Sequence, residues 1–79
     1  GWRVLPNPSK GMFRLEGRQA VEVSEVVISD LQGRVISRLV VRGMRVSEWI
    51  DLSHMSSGVY VLQVRGADGK WWTEKLLKE

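Results

Sequence analysis

The one histidine, His54, sits beside Ser53, Ser56 and Ser57. A histidine next to a serine is the raw material of a nucleophilic pair, with the imidazole taking the hydroxyl proton. This cluster lacks the glycine-framed elbow that exposes a catalytic serine. No second histidine and no cysteine is present to complete a metal site or a thiolate nucleophile. Glu22 and Glu25 come nearest to a carboxylate pair for acid–base work, yet their odd spacing sends them to opposite faces of a regular strand. No glycine-rich phosphate loop occurs. These residues predict no catalytic site, no metal and no cofactor.

The residues that remain suit binding. Arg34, Arg38 and Arg42 fall on one side of a period-two run, with Arg45 following Gly43. A guanidinium stripe can fork onto phosphates or carboxylates of an anionic partner. The plainer reading is a solvated strand whose charges discourage edge-to-edge pairing. Lys75 and Lys78, with Lys70 and Glu74, mark the last run as basic. Trp49, Trp71 and Trp72 invite a carbohydrate reading, because an exposed indole face can stack on a sugar ring. Adjacent tryptophans on a strand cannot share a face, so Trp71 and Trp72 alone do not make a platform. Trp2, near a terminus, is expected to pack loosely.

Seventy-nine residues bound the chain to one domain, 1–79, of modest core. An apolar share of 43% is that of a globular domain. The net charge of +3 comes from 12 basic residues scattered among nine acids, which argues against nucleic acid. No apolar run is long enough to span a membrane as a helix, and no signal peptide opens the chain. Gly1-Trp2 without a methionine reads as a cut from a longer chain.

Turn signals divide the sequence at close intervals: Pro6-Asn7-Pro8-Ser9-Lys10-Gly11, Asp30-Leu31-Gln32-Gly33, Gly43, Ser53-His54-Met55-Ser56-Ser57-Gly58 and Asp68-Gly69. Asp-Gly between two apolar runs is the strongest short hairpin signal. The runs between alternate. Tyr60, Leu62 and Val64 share an inward face. Val35, Leu39 and Val41 share one side with Ser37, leaving Ile36 and Val40 on the other with the arginines. Val26 pairs with Ile28, Phe13 with Leu15, and Ile50 with Leu52, opposite Trp49 and Asp51. In the last run Trp72 and Leu76 compete with Trp71 and Leu77 for the core. Residues 53–57 are expected to form at most one 3₁₀ turn capped by Ser53. Counting residues 3–5, about seven short strands without cysteine predict an all-β, immunoglobulin-like antiparallel β-sandwich. A single small barrel is the alternative.

Three segments then stand in order. The first is Val4-Leu5-Pro6-Asn7-Pro8-Ser9-Lys10-Gly11, followed by Phe13 and Leu15. The second is Val27-Ile28-Ser29-Asp30-Leu31-Gln32-Gly33-Arg34-Val35. The third is Ile50-Asp51-Leu52-Ser53-His54-Met55-Ser56-Ser57-Gly58-Val59-Tyr60-Val61-Leu62, leading to Asp68-Gly69-Lys70 and Glu74-Lys75-Leu76-Leu77-Lys78. Together they resemble the type A C-terminal sorting domain of proteins exported by the bacterial type IX secretion system. The positions carrying the resemblance are Pro6, Asn7, Pro8, Gly11, Asp30, Gly33, Asp51, Leu52, Gly58 and Tyr60. Lys78 stands where family members often carry an apolar residue, and Glu79 where they often end in lysine.

The resemblance implies a non-catalytic signal at the end of a larger exported protein. Its parent would carry a Sec signal peptide, cross the periplasm, and be recognised through this domain by the type IX outer-membrane translocon. The cargo would then reach the cell surface or medium, where a sortase-like peptidase usually removes the domain as the cargo is anchored to lipopolysaccharide. Lys78-Glu79, with no linker after the last strand, fits a natural C-terminus. Lys75 and Lys78 are candidates for translocon recognition, and the stripe Arg34, Arg38 and Arg42 for lipopolysaccharide phosphates or an acidic translocon surface. Strand addition at a sheet edge is the expected mode of contact. Gly58 is expected to kink the chain into a central strand, and Tyr60 to bury its ring and satisfy its hydroxyl locally. The rivals are a carbohydrate-binding or adhesive β-sandwich appended to a secreted enzyme, and an immunoglobulin-like spacer.

Overall fold

The apolar runs become seven strands, and in β2, β5, β6 and β7 the buried residues are those that alternation places on one face. A computed structural model describes residues 2–17, 22–45 and 47–79, with side chains described outside 41–47. The strands are β1 (Trp2–Leu5), β2 (Met12–Gly17), β3 (Glu22–Asp30), β4 (Val35–Arg45), β5 (Ser47–Asp51), β6 (Gly58–Gly66) and β7 (Trp71–Lys78). They form a three-stranded sheet in the order β1-β2-β5 and a four-stranded sheet in the order β4-β3-β6-β7, antiparallel throughout. The fold is the predicted all-β sandwich.

The small sheet contributes Phe13, Leu15 and Ile50 to the core, Leu52 joins them just past β5, and the large sheet adds Val23, Val26, Ile28, Tyr60, Leu62, Val64 and Leu76. Phe13, Leu15, Leu62, Val64 and Leu76 have no exposed surface. At roughly 25 cal/mol per Å² of apolar surface removed from water, each such side chain contributes about 2 kcal/mol. Trp2, expected to pack loosely, instead lies against this core with its ring over Gly17, where a β-carbon would stand 2.7 Å from it. In β7 the competition resolves in favour of Trp72 and Leu76; Trp71 and Leu77 point outward.

Two irregularities shift sides that strict alternation assigned. Between Ile28 and Ser29 the register of β3 against β4 slips, so Ile36 is an extra residue. Ile36 therefore packs on the core while Val35 turns out, half exposed, against the expectation that grouped them the other way. A second slip between Val23 and Glu25 sets Ser24 opposite residues 41–43. Val23 and Val26 both face inward as a result. Gly43, read as a break, lies within β4 at this irregularity.

The hairpin turns follow one design. The Asp30 N–H donates to the Arg34 carbonyl at 3.0 Å, and the Gly33 N–H donates back to the Asp30 carbonyl at 3.1 Å. Gly33 sits at φ +83, which a β-carbon makes costly. Gly66 and Lys70 close the β6–β7 turn in the same way, with Gly69 at φ +84. Residues 53–57 form a turn rather than a 3₁₀ helix. Its organiser is Asp51, not Ser53: the Asp51 Oδ1 accepts from both the N–H and the hydroxyl of Ser53.

Candidate functional site

The antiparallel order brings the β1–β2 loop, the β3–β4 turn, the β5–β6 segment and the end of β7 to the same end of the sandwich. All ten motif positions lie on these four pieces or immediately beside them.

The Pro-Asn-Pro segment, a turn signal in the sequence, turns the chain between β1 and β2. It does more, because it lies along the outer edge of β7. The Asn7 Nδ2 donates to the Lys75 carbonyl at 2.7 Å, and the Leu77 N–H donates to the Asn7 Oδ1 at 3.0 Å. Two residues on, the Ser9 N–H donates to the Leu77 carbonyl at 3.0 Å and the Glu79 N–H to the Ser9 carbonyl at 2.8 Å. Ser9 and Lys78 thus form a parallel bridge. The Asn7 amide acts as a surrogate peptide group, and Pro6 and Pro8, both following cis peptide bonds, flank it.

Gly11 joins this loop to the third motif. Its carbonyl accepts from the Leu52 N–H at 2.8 Å. Its φ is +154, and a β-carbon there would meet the Ser53 Cα at 2.6 Å. Leu52 is buried at 2%. Ser9, beside Gly11, is 6% exposed; its hydroxyl accepts from the Gly11 N–H and donates to the Met12 carbonyl.

Across the same end, Asp30 faces Tyr60 in the register of β3 and β6, and Gly58 faces Lys78 in that of β6 and β7. Asp30 shapes its turn through its carboxylate. Its Oδ1 accepts from the N–H groups of Gln32 and Arg34, each at 2.9 Å, and its Oδ2 pairs with the Arg34 Nε at 2.8 Å. Desolvation pushes this carboxyl up, but the Arg34 side chain, main chain and charge and the Gln32 N–H outweigh it and hold it below the usual aspartate value. The Ser53 hydroxyl and N–H do the same for Asp51, against some desolvation, with the charge of His54 adding to them. Tyr60 is 6% exposed and its hydroxyl donates to the Ser56 carbonyl at 2.6 Å, the local satisfaction expected of it. Gly58 sits at φ +151 where the chain enters β6.

The basic candidates separate. Lys75 is exposed on the outer face of β7. Lys78 alternates with Trp72 and Leu76 on the inner face and keeps only 8% exposure. Its stem fills a place suited to an apolar side chain while the ammonium reaches out. Period two from Leu76 carried that signal. Of the arginine stripe, Arg34 pairs with Asp30 and Arg38 with Glu25 at 3.3 Å; the side chain of Arg42 lies outside the described residues. The exposed tryptophans lie on opposite outer faces, Trp49 beside Arg14 on the small sheet and Trp71 beside Arg65 on the large one, with guanidinium carbons 5.9 and 5.7 Å from the ring centres. They make no common platform.

Compared with known proteins, the chain matches the family model described as "Secretion system C-terminal sorting domain" over residues 3–79. No curated protein matches it. The chain therefore belongs to the C-terminal sorting domain family of type IX secretion, whose members direct their cargo through the outer-membrane translocon to the cell surface or medium.

Proposed function

We propose that residues 1–79 are a single folded export signal, carried in cis at the end of a larger cargo, that crosses the periplasm and is read at its motif end. The observation that carries this reading is the convergence of the three motif segments on one end of the sandwich, where residues 7–9 bind the edge of β7. The domain works by being bound rather than by catalysis. Pro6, Asn7, Pro8, Gly11, Asp30, Gly33, Asp51, Leu52, Gly58 and Tyr60 set the shape of that end. Lys75, exposed beside it, contacts the translocon, and Lys78 supports the strand from within. Arg34 and Arg38 keep exposed guanidiniums beside their carboxylate partners and suit lipopolysaccharide phosphates. A sortase-like peptidase then separates domain from cargo.

The test is an export assay. Residues 1–79 are fused behind a signal-peptide-bearing fluorescent reporter in a bacterium with a type IX system and in its translocon-null mutant. Reporter on the surface or in the medium, lost in the mutant, is the expected result. Reporter held in the periplasm of both strains, with the domain folded, overturns the reading. Lys75→Ala is expected to lower export severalfold without loss of stability, whereas Lys78→Met keeps both export and fold.

A further inference from the structure

The hydrogen bonds that Asn7 and Ser9 make define which way the backbone of β7 points. Lys75 and Leu77 direct their carbonyls, and Leu77 its N–H, away from β6 and toward residues 7–9. The register of β6 against β7 runs without a slip from Arg65↔Trp71 to Gly58↔Lys78. In an antiparallel strand both main-chain groups of every second residue point to the same side. The N–H and C=O of Trp71 and Thr73, and the N–H of Lys75, therefore point to the open edge, and among the described residues nothing pairs with them. The segment 6–9 covers one half of this edge as an added strand would, and the half at 71–75 stays open.

The remaining edges are less suited. β1 and β5 have four and five residues, and β4 is interrupted by two slips. Short and bulged edges resist strand addition, whereas a regular one invites it. Charge narrows the visitor. Lys70 and Lys75 are exposed on either side of the open half and Arg65 lies over Trp71, against Glu74 and the turn residue Asp68, so a strand bearing acidic side chains is favoured.

Resting on the sorting reading, we infer that the 71–75 edge of β7 is the docking site for an extended, acidic strand of the outer-membrane translocon, bound by β-augmentation and stopped in register by Asn7. Main-chain pairing leaves the side chains of the edge free to vary, so one translocon strand can serve many cargo domains.

Thr73→Pro removes an outward N–H and no hydrogen bond of the fold, at an edge position where proline is tolerated. In the fusion assay it is expected to lower translocon-dependent export at least about tenfold, with an unchanged thermal midpoint, while Thr73→Ala exports like the parent. Trp71→Pro, at the first residue of the strand, repeats the test should Thr73→Pro fail to fold, with Trp71→Tyr as its side-chain control. Lys70→Glu with Lys75→Glu is expected to lower export to a similar degree. Folded proline variants that export like the parent overturn the inference and leave the sorting reading standing. Normal export by the double charge reversal overturns the acidic partner. Loss of export already in the parent fusion removes both readings. A parent dimer in sedimentation that Thr73→Pro converts to monomer without loss of export assigns the edge to a second copy of the chain and likewise overturns the inference.

Discussion

The Leu77 N–H donates to the Asn7 side-chain oxygen at 3.0 Å across a sequence separation of 70 residues. Together with the bond from the Asn7 Nδ2 to Lys75, it lets one side chain stand in for a peptide unit on the edge of β7. That relationship joins the loop of the small sheet to the last strand of the large one.

Asn7→Ala deletes both bonds and leaves two main-chain groups to water. Because they lie at an edge, water replaces part of what is lost, and the cost is about 1–2 kcal/mol. The midpoint of urea unfolding should fall with little change in its slope. Amide exchange at Leu77 should rise more than at Leu62, which lies in the core strand.

Two glycines of the motif should respond differently to a methyl group. At Gly11 the alanine β-carbon meets the Ser53 backbone at 2.6 Å and the φ of +154 is unfavourable as well. Gly11→Ala is expected to cost about 3 kcal/mol or more. At Gly33 the space is open and only the φ of +83 opposes the change, so Gly33→Ala costs about 1 kcal/mol. Thermal midpoints of the two variants, measured side by side, check the contrast.

Acid should weaken the fold through Asp30 and Asp51. Both carboxyls are held below their ordinary value by hydrogen bonds made in the folded state. A depressed folded pKa contributes stability above the unfolded pKa and loses it as pH falls through the folded one. The decline therefore begins near the ordinary aspartate range, about pH 4, and continues below it. Asp51→Asn keeps an oxygen for Ser53 but no titrating proton, so its stability curve should be flatter over that range. An equal acid decline in parent and variant would remove Asp51 from the account.

Much of this architecture is legible in the residues. Alternation assigns Phe13 with Leu15, Ile50 with Leu52, and Tyr60 with Leu62 and Val64, because one buried face imposes period two and nothing else competes. It fails at Ile36, where an inserted residue shifts its neighbours to the other face without altering composition. It leaves Trp71 and Trp72 undecided because both are large and apolar; only the pairing with β6 separates them. Asp30 and Asp51 carry their turns in ways their local sequence announces. The partnership of Asn7 with β7 has no local signature, since it depends on two sheets meeting. Lys78 is misleading for another reason: a long stem with a charged tip satisfies an inner position that residue type alone assigns to solvent.

The clasp of residues 7–9 on β7 also ties the beginning of the domain to the part of it made last. Until β7 leaves the ribosome, Asn7 and Ser9 have no strand to hold, Leu76 is missing from the core, and β6 presents an uncovered flank. A chain that stops short of β7 keeps six strands and cannot close them. The assembled shape thus reports that synthesis reached the seventh strand, and a receptor that binds only this shape would pass over cargo whose translation was cut short.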